Sequence, residues 1–383
     1  MNHTPYGHPA WIEIDLCQFK KNLHLIQQTI QPAKLCLPVK ANAYGHGLLP
    51  MAQAAVAAGV DYLAVSCLQE GALLRRAGIL IPILVLGAIH EEQIDALVSL
   101  QLEFTISSLY KAKLVAQKMQ QMRSRCRVHL EIDTGFQRTG VTPETAIDVL
   151  KFISSHACFD IAGVYSHLAT ADMPAHPVAI EQIKLFQTFI DRYVRPLNPE
   201  ILCHIANSGG VCHYKSSHLD MVRPGILALG YFPVPIASSL SGIRGFFSIK
   251  AKIAYFKVVP GQAGIGYGHT YTTDRASRIV TIPVGYGDGY KRALSNKGHI
   301  LIRDRRYPIV GRVCMDQFMV NVGEDEALVG ETVTLIGQDH HESINLNDIA
   351  MLCDTIPYEI LCGFNRRLPR YYHEQDDAFW DSD

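Results

Sequence analysis

Several features that define other protein classes are missing from this sequence, and each absence excludes a function. None of the ten cysteines forms a CxxC pair and HExxH is absent, so the common zinc-site patterns are not present. The longest apolar run, residues 78–89, contains a proline and is too short to span a bilayer. A net charge of −1 provides no basic excess for binding nucleic acid. We therefore expect no metal site and no nucleic-acid or membrane partner.

The first ten residues, MNHTPYGHPA, lack the basic start and the apolar core of a signal peptide. The cysteines are scattered along the chain, which is typical of buried thiols in a reducing compartment and not of a disulfide framework. Together these two features predict a cytoplasmic protein.

The length of 383 residues predicts two domains, and the chain divides into two textures. Up to about residue 225, short apolar runs alternate with helical patterns, which indicates parallel strands covered by helices. The predicted strands are residues 35–40, 61–66, 81–87, 102–107, 127–133, 160–167, 201–207 and 220–225. Eight such strands close a (β/α)8 barrel, with an open doubly wound sheet as the competing architecture.

After about residue 240, strand-like segments separated by PG, GDG and NKG turns predict a mostly β domain. Only NLNDIAMLCDT has a helical pattern there, with Asn345 as its N-cap. The predicted fold is thus α/β, with a TIM-like barrel at residues 11–240 followed by a mostly β domain at 241–383. The alternating segment WIEIDL predicts an N-terminal strand, and residues 1–14 could pack with the β domain.

A lysine ends the first predicted barrel strand, in KANAYGHG at residues 40–47. The chemistry of such barrels occurs at the C-terminal ends of the strands. Lysine condenses with aldehydes to a Schiff base, and an apolar pocket favours its reactive neutral amine. Lys40 is therefore either an ordinary solvated lysine or the anchor of an aldehyde cofactor such as pyridoxal phosphate (PLP).

Two later segments offer the other groups that PLP needs, an anion cradle and a partner for the ring nitrogen. In ANSGG, residues 206–210, side-chain and backbone donors converge after a strand. In VRPGI, residues 222–226, Arg223 stands at the end of the last predicted strand. The last two strands of a barrel are neighbours and often form a phosphate site. Read singly, the same segments are a helix cap and an arginine paired with Asp220.

The chain carries nine motifs in one order: KANAYGHG, DTGFQRTG, YSHLATAD, HIANSGG, MVRPGI, GIGYGHTY, PVGYGDGY, GRVCMDQ and PYE. In this order, over almost the whole chain, they resemble the alanine racemases, which are PLP-dependent enzymes of the barrel type. The resemblance implies PLP-dependent interconversion of L- and D-alanine, with D-alanine supplied for peptidoglycan. It also implies a homodimer with shared active sites.

The resemblance further implies a role for individual residues. Lys40 and Tyr267 correspond to the two catalytic bases, and Lys40 also binds PLP. The other implied cofactor contacts are Tyr44, His167, Ser208, Arg223, Gly225, Ile226 and Tyr358. Arg138 and Met315 are implied to contact the substrate, and Tyr286 to narrow the entrance.

Racemisation removes a proton from one face of a planar carbon and returns one to the other face, so two bases are needed. A tyrosine base near neutral pH needs positive charge nearby, because its reference pKa is near 10, and His167 and Arg223 are the candidate sources. Arg223 keeps its proton and would leave the PLP ring nitrogen unprotonated, which argues against a decarboxylase. The alternatives left open are another or broad-specificity racemase of this fold and a PLP-binding protein without turnover.

One position departs from the family pattern. Where the family often has a lysine modified to a carbamate, this sequence has Glu131. We expect Glu131 to supply the negative charge without modification and to pair with Arg138 or a neighbour.

Overall fold

The computed structural model describes residues 7–232 and 240–374. Contacts divide the chain into two units, which are described separately below. The barrel unit comprises Lys20–Ala43 and Leu48–Ile243. The β unit comprises Met1–Phe19, Tyr44–Gly47 and Arg244–Asp383.

The strands of the described residues, in chain order, are β1 (Ala10–Asp15), β2 (Lys34–Pro38), β3 (Tyr62–Val65), β4 (Ile83–Val85), β5 (Glu103–Ile106), β6 (Cys126–Glu131), β7 (Phe159–Tyr165), β8 (Leu202–His204), β9 (Met221–Val222), β10 (Phe247–Lys252), β11 (Tyr255–Val259), β12 (Ser277–Ile282), β13 (His299–Ile302), β14 (Arg305–Val310), β15 (Phe318–Gly323), β16 (Thr332–Asp339), β17 (Glu342–Ile344) and β18 (Arg370–His373). The helices are α1 (Leu16–Ile30), α2 (Lys40–Tyr44), α3 (Leu48–Ala57), α4 (Leu68–Arg76), α5 (Ile94–Ser99), α6 (Leu109–Met122), α7 (Pro143–Ser155), α8 (Pro177–Phe189), α9 (Ser208–His213), α10 (Leu346–Leu352) and α11 (Pro357–Gly363).

The barrel unit contains a parallel sheet of eight strands in the order β8-β7-β6-β5-β4-β3-β2-β9. Backbone hydrogen bonds connect the two ends of this order, from Asp220 N to Cys203 O at 3.1 Å and from Arg223 N to Ala206 O at 2.8 Å. The sheet is therefore a nearly closed barrel, which confirms the predicted fold and excludes the open doubly wound sheet. Each of the eight predicted strands overlaps one of these observed strands.

The barrel follows from the sequence pattern. The residues of β3, β4 and β5 are all buried, as expected for strands that are covered on both faces. The helices outside begin at recognisable caps: the Ser108 hydroxyl accepts from Lys111 N before α6, and Thr142 precedes Pro143 at the start of α7. None of the described helices is long and apolar enough to cross a membrane.

The β unit is built on a sheet in the order β11-β12-β15-β14-β13-β16-β10-β1-β18, with β17 paired to β16. The N-terminal strand β1 pairs antiparallel with β10 and parallel with β18. The mostly β architecture is as predicted, and Asn345 caps α10 through the N–H of Asn347 at 2.8 Å. The prediction of a single helix was wrong, because α11 follows, beginning at Pro357, whose ring suits the first turn of a helix.

Residues 44–47 also belong to the β unit, where the last strand holds them. Arg370 Nε donates to Gly45 O at 2.7 Å, and the Tyr372 hydroxyl donates to His46 O at 2.9 Å. A Cβ at position 47 would stand 2.0 Å from the Tyr372 hydroxyl oxygen, and Gly47 has a φ of +105°. Only glycine fits this close approach.

Candidate active site

Three of the predicted site residues follow barrel strands that are neighbours. Lys40 follows β2, Arg223 follows β9, and Ser208 begins the helix after β8. Strand β9 pairs in parallel with β2, and its segment is hydrogen-bonded to the β8 segment. Because the strands are parallel, the three residues lie at the same C-terminal rim of the barrel, which is where such barrels carry chemistry.

Lys40 precedes a backbone turn in the left-handed conformation. The next four residues, Ala41, Asn42, Ala43 and Tyr44, have φ angles of 53°, 57°, 51° and 52°. This left-handed conformation costs about 1–2 kcal/mol per non-glycine residue. Such strain persists only where surrounding contacts enforce it, and it is concentrated at functional sites.

Contacts within the barrel unit enforce this turn. The Glu70 carboxylate accepts from Ala41 N at 2.6 Å and from both the N–H and the hydroxyl of Ser66 at 3.0 Å. Asn42 Oδ1 accepts from Leu48 N at 2.9 Å, which caps α3. The turn therefore fixes the backbone of the half-buried Lys40 before any ligand binds.

Arg223 is 5% exposed and makes its hydrogen bonds to neutral groups. One terminal nitrogen is 2.5 Å from His204 Nδ1, and the other donates to Ser166 O at 2.7 Å and lies 3.4 Å from His167 Nδ1. Among the described residues no carboxylate lies within 4 Å of it, and Nε–H has no acceptor. Burial lowers the pKa of Arg223, but a guanidinium remains protonated at working pH.

The alternative of an Arg223–Asp220 ion pair is wrong. Asp220 instead binds Arg195 at 2.6 Å and the N–H of Cys203 at 2.7 Å. Arg223 is thus a buried cation whose Nε–H and second Nη1–H have no acceptor among the described residues.

Burial and the positive charges of Arg223, Arg138 and Lys40 lower the pKa of His167 to about 3, which favours the neutral imidazole. This direction argues against His167 as the positive charge that a tyrosine base needs, and leaves Arg223 as the other candidate. Gln182, buried on α8, fixes the backbone here by donating to His167 O at 2.9 Å.

The segments after β8 and β9 form a cradle of backbone donors. Asn207 caps α9 by accepting from Gly210 N at 3.0 Å, and the Ser208 hydroxyl accepts from Leu227 N at 3.2 Å. The N–H groups of Gly225 and Ile226 donate to no other described residue, although Ile226 is only 1% exposed. Because buried N–H groups are normally paired, these two fit an anionic ligand such as the PLP phosphate.

Glu131 contacts a neighbour of Arg138 and not Arg138 itself. The Thr139 hydroxyl donates to Glu131 Oε1 at 2.8 Å. Burial raises the pKa of Glu131, while this hydrogen bond and the charges of Arg223 and Arg138 oppose the rise. The expected direct pair with Arg138 is absent among the described residues, and the expected contact with a neighbour is present. Arg138 is exposed and stacks over Phe136, 4.3 Å from the ring centroid.

Within the β unit, two predicted phosphate contacts lie together. The rings of Tyr44 and Tyr358 are 6.0 Å apart between centroids. Tyr44 is buried and Tyr358, on α11, is half-buried. Positions that are far apart in sequence are thus brought to one place.

Tyr267 stands in a tight loop between β11 and β12. Ile265 N donates to Tyr271 O at 2.9 Å, and Gly266 and Gly268 have φ angles of 66° and 71°, which glycine adopts readily. The Tyr267 side chain is 71% exposed. The β unit therefore displays this phenol at a loop tip.

Met315 and Tyr286 also lie on joined loops of the β unit. Gly287 N donates to Met315 O at 2.8 Å, and Tyr286 N donates to Cys314 O at 3.0 Å. Arg367 bridges the same loops, 3.1 Å from Asp288 and 2.8 Å from Asp316. Met315 is 54% exposed, so this surface presents a thioether beside an aromatic ring.

Several supporting residues were missed by sequence reasoning. Glu70 and Gln182 hold the backbone of predicted site residues, and His204 contacts Arg223. His204 lies in the HIANSGG motif, which was a usable signal, whereas Glu70 and Gln182 lie on helices without one. The described His, Cys, Asp and Glu side chains form no group of three that could hold a metal ion.

Comparisons with known proteins agree with this geometry. The family described as alanine racemase, N-terminal domain, matches residues 14–233, and the C-terminal domain family matches residues 246–372. An alanine racemase of Halothermothrix orenii is 39% identical over 367 residues, covering 95% of this chain and 97% of the relative.

Solved structures give the same result. Alanine racemase from D-cycloserine-producing Streptomyces lavendulae is 30% identical with a TM-score of 0.91, covering 97% of this chain and 98% of that one. Alanine racemase from Bartonella henselae, with covalently bound pyridoxal phosphate, is 25% identical with a TM-score of 0.86, covering 96% and 100%.

Proposed function

This chain belongs to the alanine racemase family, and from that premise we propose the roles of its individual residues. The chain is a PLP-dependent isomerase that interconverts L- and D-alanine. The observation that carries the residue assignments is the shared rim of Lys40, Arg223 and Ser208, with a buried arginine whose Nε–H is among the donors that have no described acceptor.

The residues present fit PLP. Lys40 supplies the amine, and Arg223 supplies Nε–H for the ring nitrogen. The donors of Ser208, Gly225 and Ile226 would hold the phosphate, and the family resemblance assigns Tyr44 and Tyr358 to the same role. When bound, PLP withdraws electrons from the substrate α-carbon and so acidifies its proton.

Two side chains move the proton. The Lys40 amine serves one face of the α-carbon, and the Tyr267 hydroxyl serves the other. Neutral His167 accepts or donates a hydrogen bond without adding charge, so Arg223 is the cation left to favour a tyrosinate. Because Arg223 does not release its proton, it would leave the PLP ring nitrogen unprotonated, a setting that would favour return of the proton over decarboxylation or transamination.

Substrate selection belongs to Arg138 and Met315. The exposed guanidinium of Arg138 is free to orient the alanine carboxylate. Met315 and Tyr286 limit the space for the side chain, which favours a small one over the larger substrates of a broad-specificity racemase. A PLP-binding protein without turnover would not need this β unit with its displayed phenol.

The wider assignments follow from the family. We propose a PLP-binding barrel domain at residues 11–240 and a β domain at residues 241–383, with the N-terminal strand β1 packed in the β domain. A homodimer in which Tyr267 and Met315 complete the site of the partner accounts for the exposure of both side chains. D-Alanine for peptidoglycan and a cytoplasmic location complete the proposal.

Solvent-deuterium exchange tests the two-base assignment. Each enantiomer of alanine is incubated in D2O with wild-type, Lys40→Ala or Tyr267→Phe protein, and α-deuterium is measured by mass spectrometry. We expect the wild type to exchange the α-proton with inversion of the α-carbon. Both variants should lose this exchange with inversion. Normal racemisation by Tyr267→Phe would contradict the assignment.

Mixed variants test the shared site. Lys40→Ala and Tyr267→Phe chains are denatured, mixed and refolded together with PLP. If sites are shared, about half of the chains form heterodimers, and each heterodimer contains one intact site. No regained activity at full mixing would place both bases in one chain.

A further inference from the structure

A file of buried polar side chains extends from Arg223 through the barrel interior. His204 Nδ1 lies 2.5 Å from Arg223, and His204 Nε2 lies 3.0 Å from His129 Nδ1. His129 Nε2 in turn lies 2.8 Å from Glu103 Oε2. We call Glu103, His129 and His204 the polar chain. None of the residue roles assigned above uses Glu103 or His129.

Arg223 at one end and Glu103 at the other determine which histidine nitrogens of the polar chain carry protons. Arginine has only donors, so His204 Nδ1 must be an acceptor and carry no proton. His204 then carries its proton on Nε2 and donates to His129 Nδ1, which also must be bare. His129 is left with a proton on Nε2, which it donates to the carboxylate. Both rings are therefore neutral Nε2–H tautomers, and every bond runs from the arginine towards Glu103.

The fold makes room for this arrangement. His129 on β6 pairs in register with Gly163 on β7, and a Cβ at Gly163 would stand 2.4 Å from His129 Nδ1. The Tyr165 ring stacks on His204 at 5.1 Å between centroids, and the Tyr62 ring packs edge-on against His129. The rings have no space to rotate without displacing these neighbours.

Charged groups lie at the far end of the file. Arg127 Nε is 3.1 Å from Glu103 Oε1 and 3.5 Å from the exposed Asp160. Glu103 itself is buried. The buried Glu103 carboxylate therefore ends the polar chain. Because it accepts the His129 proton, it prevents the protons of both rings from shifting to the opposite nitrogens.

We infer that Glu103, His129 and His204 are positioning residues that hold the Arg223 guanidinium in one orientation, with its Nε–H directed at the cofactor ring. The inference rests on the proposed role of Arg223. If the ring protons of the polar chain shifted from Nε2 to Nδ1, an Nδ1–H of His204 would face the N–H groups of Arg223. The guanidinium would then have to turn, and the ring nitrogen would lose its donor.

The first test reads the protons directly. The holoenzyme is labelled with 15N-histidine, and the His129 and His204 signals are assigned with His129→Asn and His204→Asn. We expect both rings as Nε2–H tautomers. An Nδ1–H tautomer or an imidazolium at either ring would overturn the inference, whatever the activity of the enzyme.

The second test changes the anchor. Glu103→Gln removes the negative charge and allows the protons of His129 and His204 to shift to Nδ1. We therefore expect kcat to fall about tenfold, as for other supporting residues around a reactive group. KM for alanine should change far less than kcat, and the visible absorption band of bound PLP should shift. Glu103→Asp should restore part of both.

Asp160→Asn is the matched control, because it shares the Arg127 contact without touching His129. Equal behaviour of Glu103→Gln and Asp160→Asn would overturn the inference. An Arg223→Lys variant separates the failures. If it shifts the absorption band while Glu103→Gln does not, only the polar chain is refuted. If neither variant shifts the band, the placement of Arg223 at the ring fails as well.

Discussion

The two units present their predicted site residues in opposite ways. On the barrel rim, Arg223 and Ser208 are buried and tied by hydrogen bonds to strands and loops. In the β unit, Tyr267 and Met315 are mostly exposed on loops closed by glycine-assisted turns. The barrel thus prepares its polar groups for a bound cofactor, whereas the β unit displays side chains that a partner surface could cover. This contrast supports the proposed sharing of sites between two chains.

The largest effect should come from the barrel rim. Lys40→Ala removes the proposed cofactor anchor, which is also one of the two proposed bases, so we expect kcat to fall by at least about 10⁴-fold. Borohydride should no longer fix the cofactor to the protein, as measured by mass spectrometry. Lys34→Ala, at the opposite end of the same strand, is the control and should behave as wild type.

The displayed phenol should affect chemistry without affecting cofactor affinity. Tyr267→Phe should lower kcat by about 10²–10⁴-fold, the range of a lost general acid–base group. PLP affinity and absorbance should remain those of the wild type. Tyr255→Phe, at an exposed position on edge strand β11, should change neither quantity. Loss of PLP binding in Tyr267→Phe would contradict the division of labour between the units.

The neutral state of His167 should appear as a pH dependence of stability. Its folded pKa of about 3 is below the ordinary 6.5, so between these values the unfolded chain binds the extra proton. The contribution of His167 to the free energy of unfolding is therefore fully present above pH 6.5 and is lost as the pH falls towards 3.

Urea unfolding at several pH values measures this effect. We expect His167→Asn to reduce the slope of unfolding free energy against pH by up to about 1.4 kcal/mol per pH unit. The exposed His24→Asn is the control, and equal slopes for the two variants would show that His167 is protonated in the folded state.

The smallest effect concerns the left-handed turn. Asn42→Ala removes the cap of α3 and the side chain best suited to positive φ, so we expect a loss of somewhat more than about 1 kcal/mol in unfolding free energy. Thr142→Ala removes only the cap of α7 and should lose about 1 kcal/mol. Chemical denaturation measures the loss of unfolding free energy in each variant. The extra loss in Asn42→Ala is the cost of placing alanine at positive φ, and equal losses would show that the turn is unstrained.

The sequence is sufficient to predict the barrel, because eight covered strands produce eight apolar runs separated by helical patterns. It also places Lys40, Arg223 and Ser208 at strand ends. The turn after Lys40 is not predictable, because neither Ala41 nor Ala43 prefers positive φ; a carboxylate from α4 imposes it. The helix α11 was missed because Ile356 before it provides no side-chain cap, whereas Asn345 marks the start of the equally short α10.

Electrostatic state is harder to predict than position. The pKa of His167 is lowered first by burial and then by cations from three separate segments. The protons of the polar chain depend on residues from β5, β6 and β8 meeting inside the barrel. Such properties arise only when the strands assemble, and local patterns do not contain them.

The hold of β18 on residues 44–47 has a consequence for biosynthesis. These residues adjoin the cofactor lysine, yet their carbonyl groups are captured by side chains 325 and 326 positions later. During translation, a ribosome has to deliver nearly the whole polypeptide before this loop acquires its final hydrogen bonds. A nascent chain that carries the complete barrel therefore still lacks the finished loop beside its lysine, and the enzyme matures only after its last strand emerges.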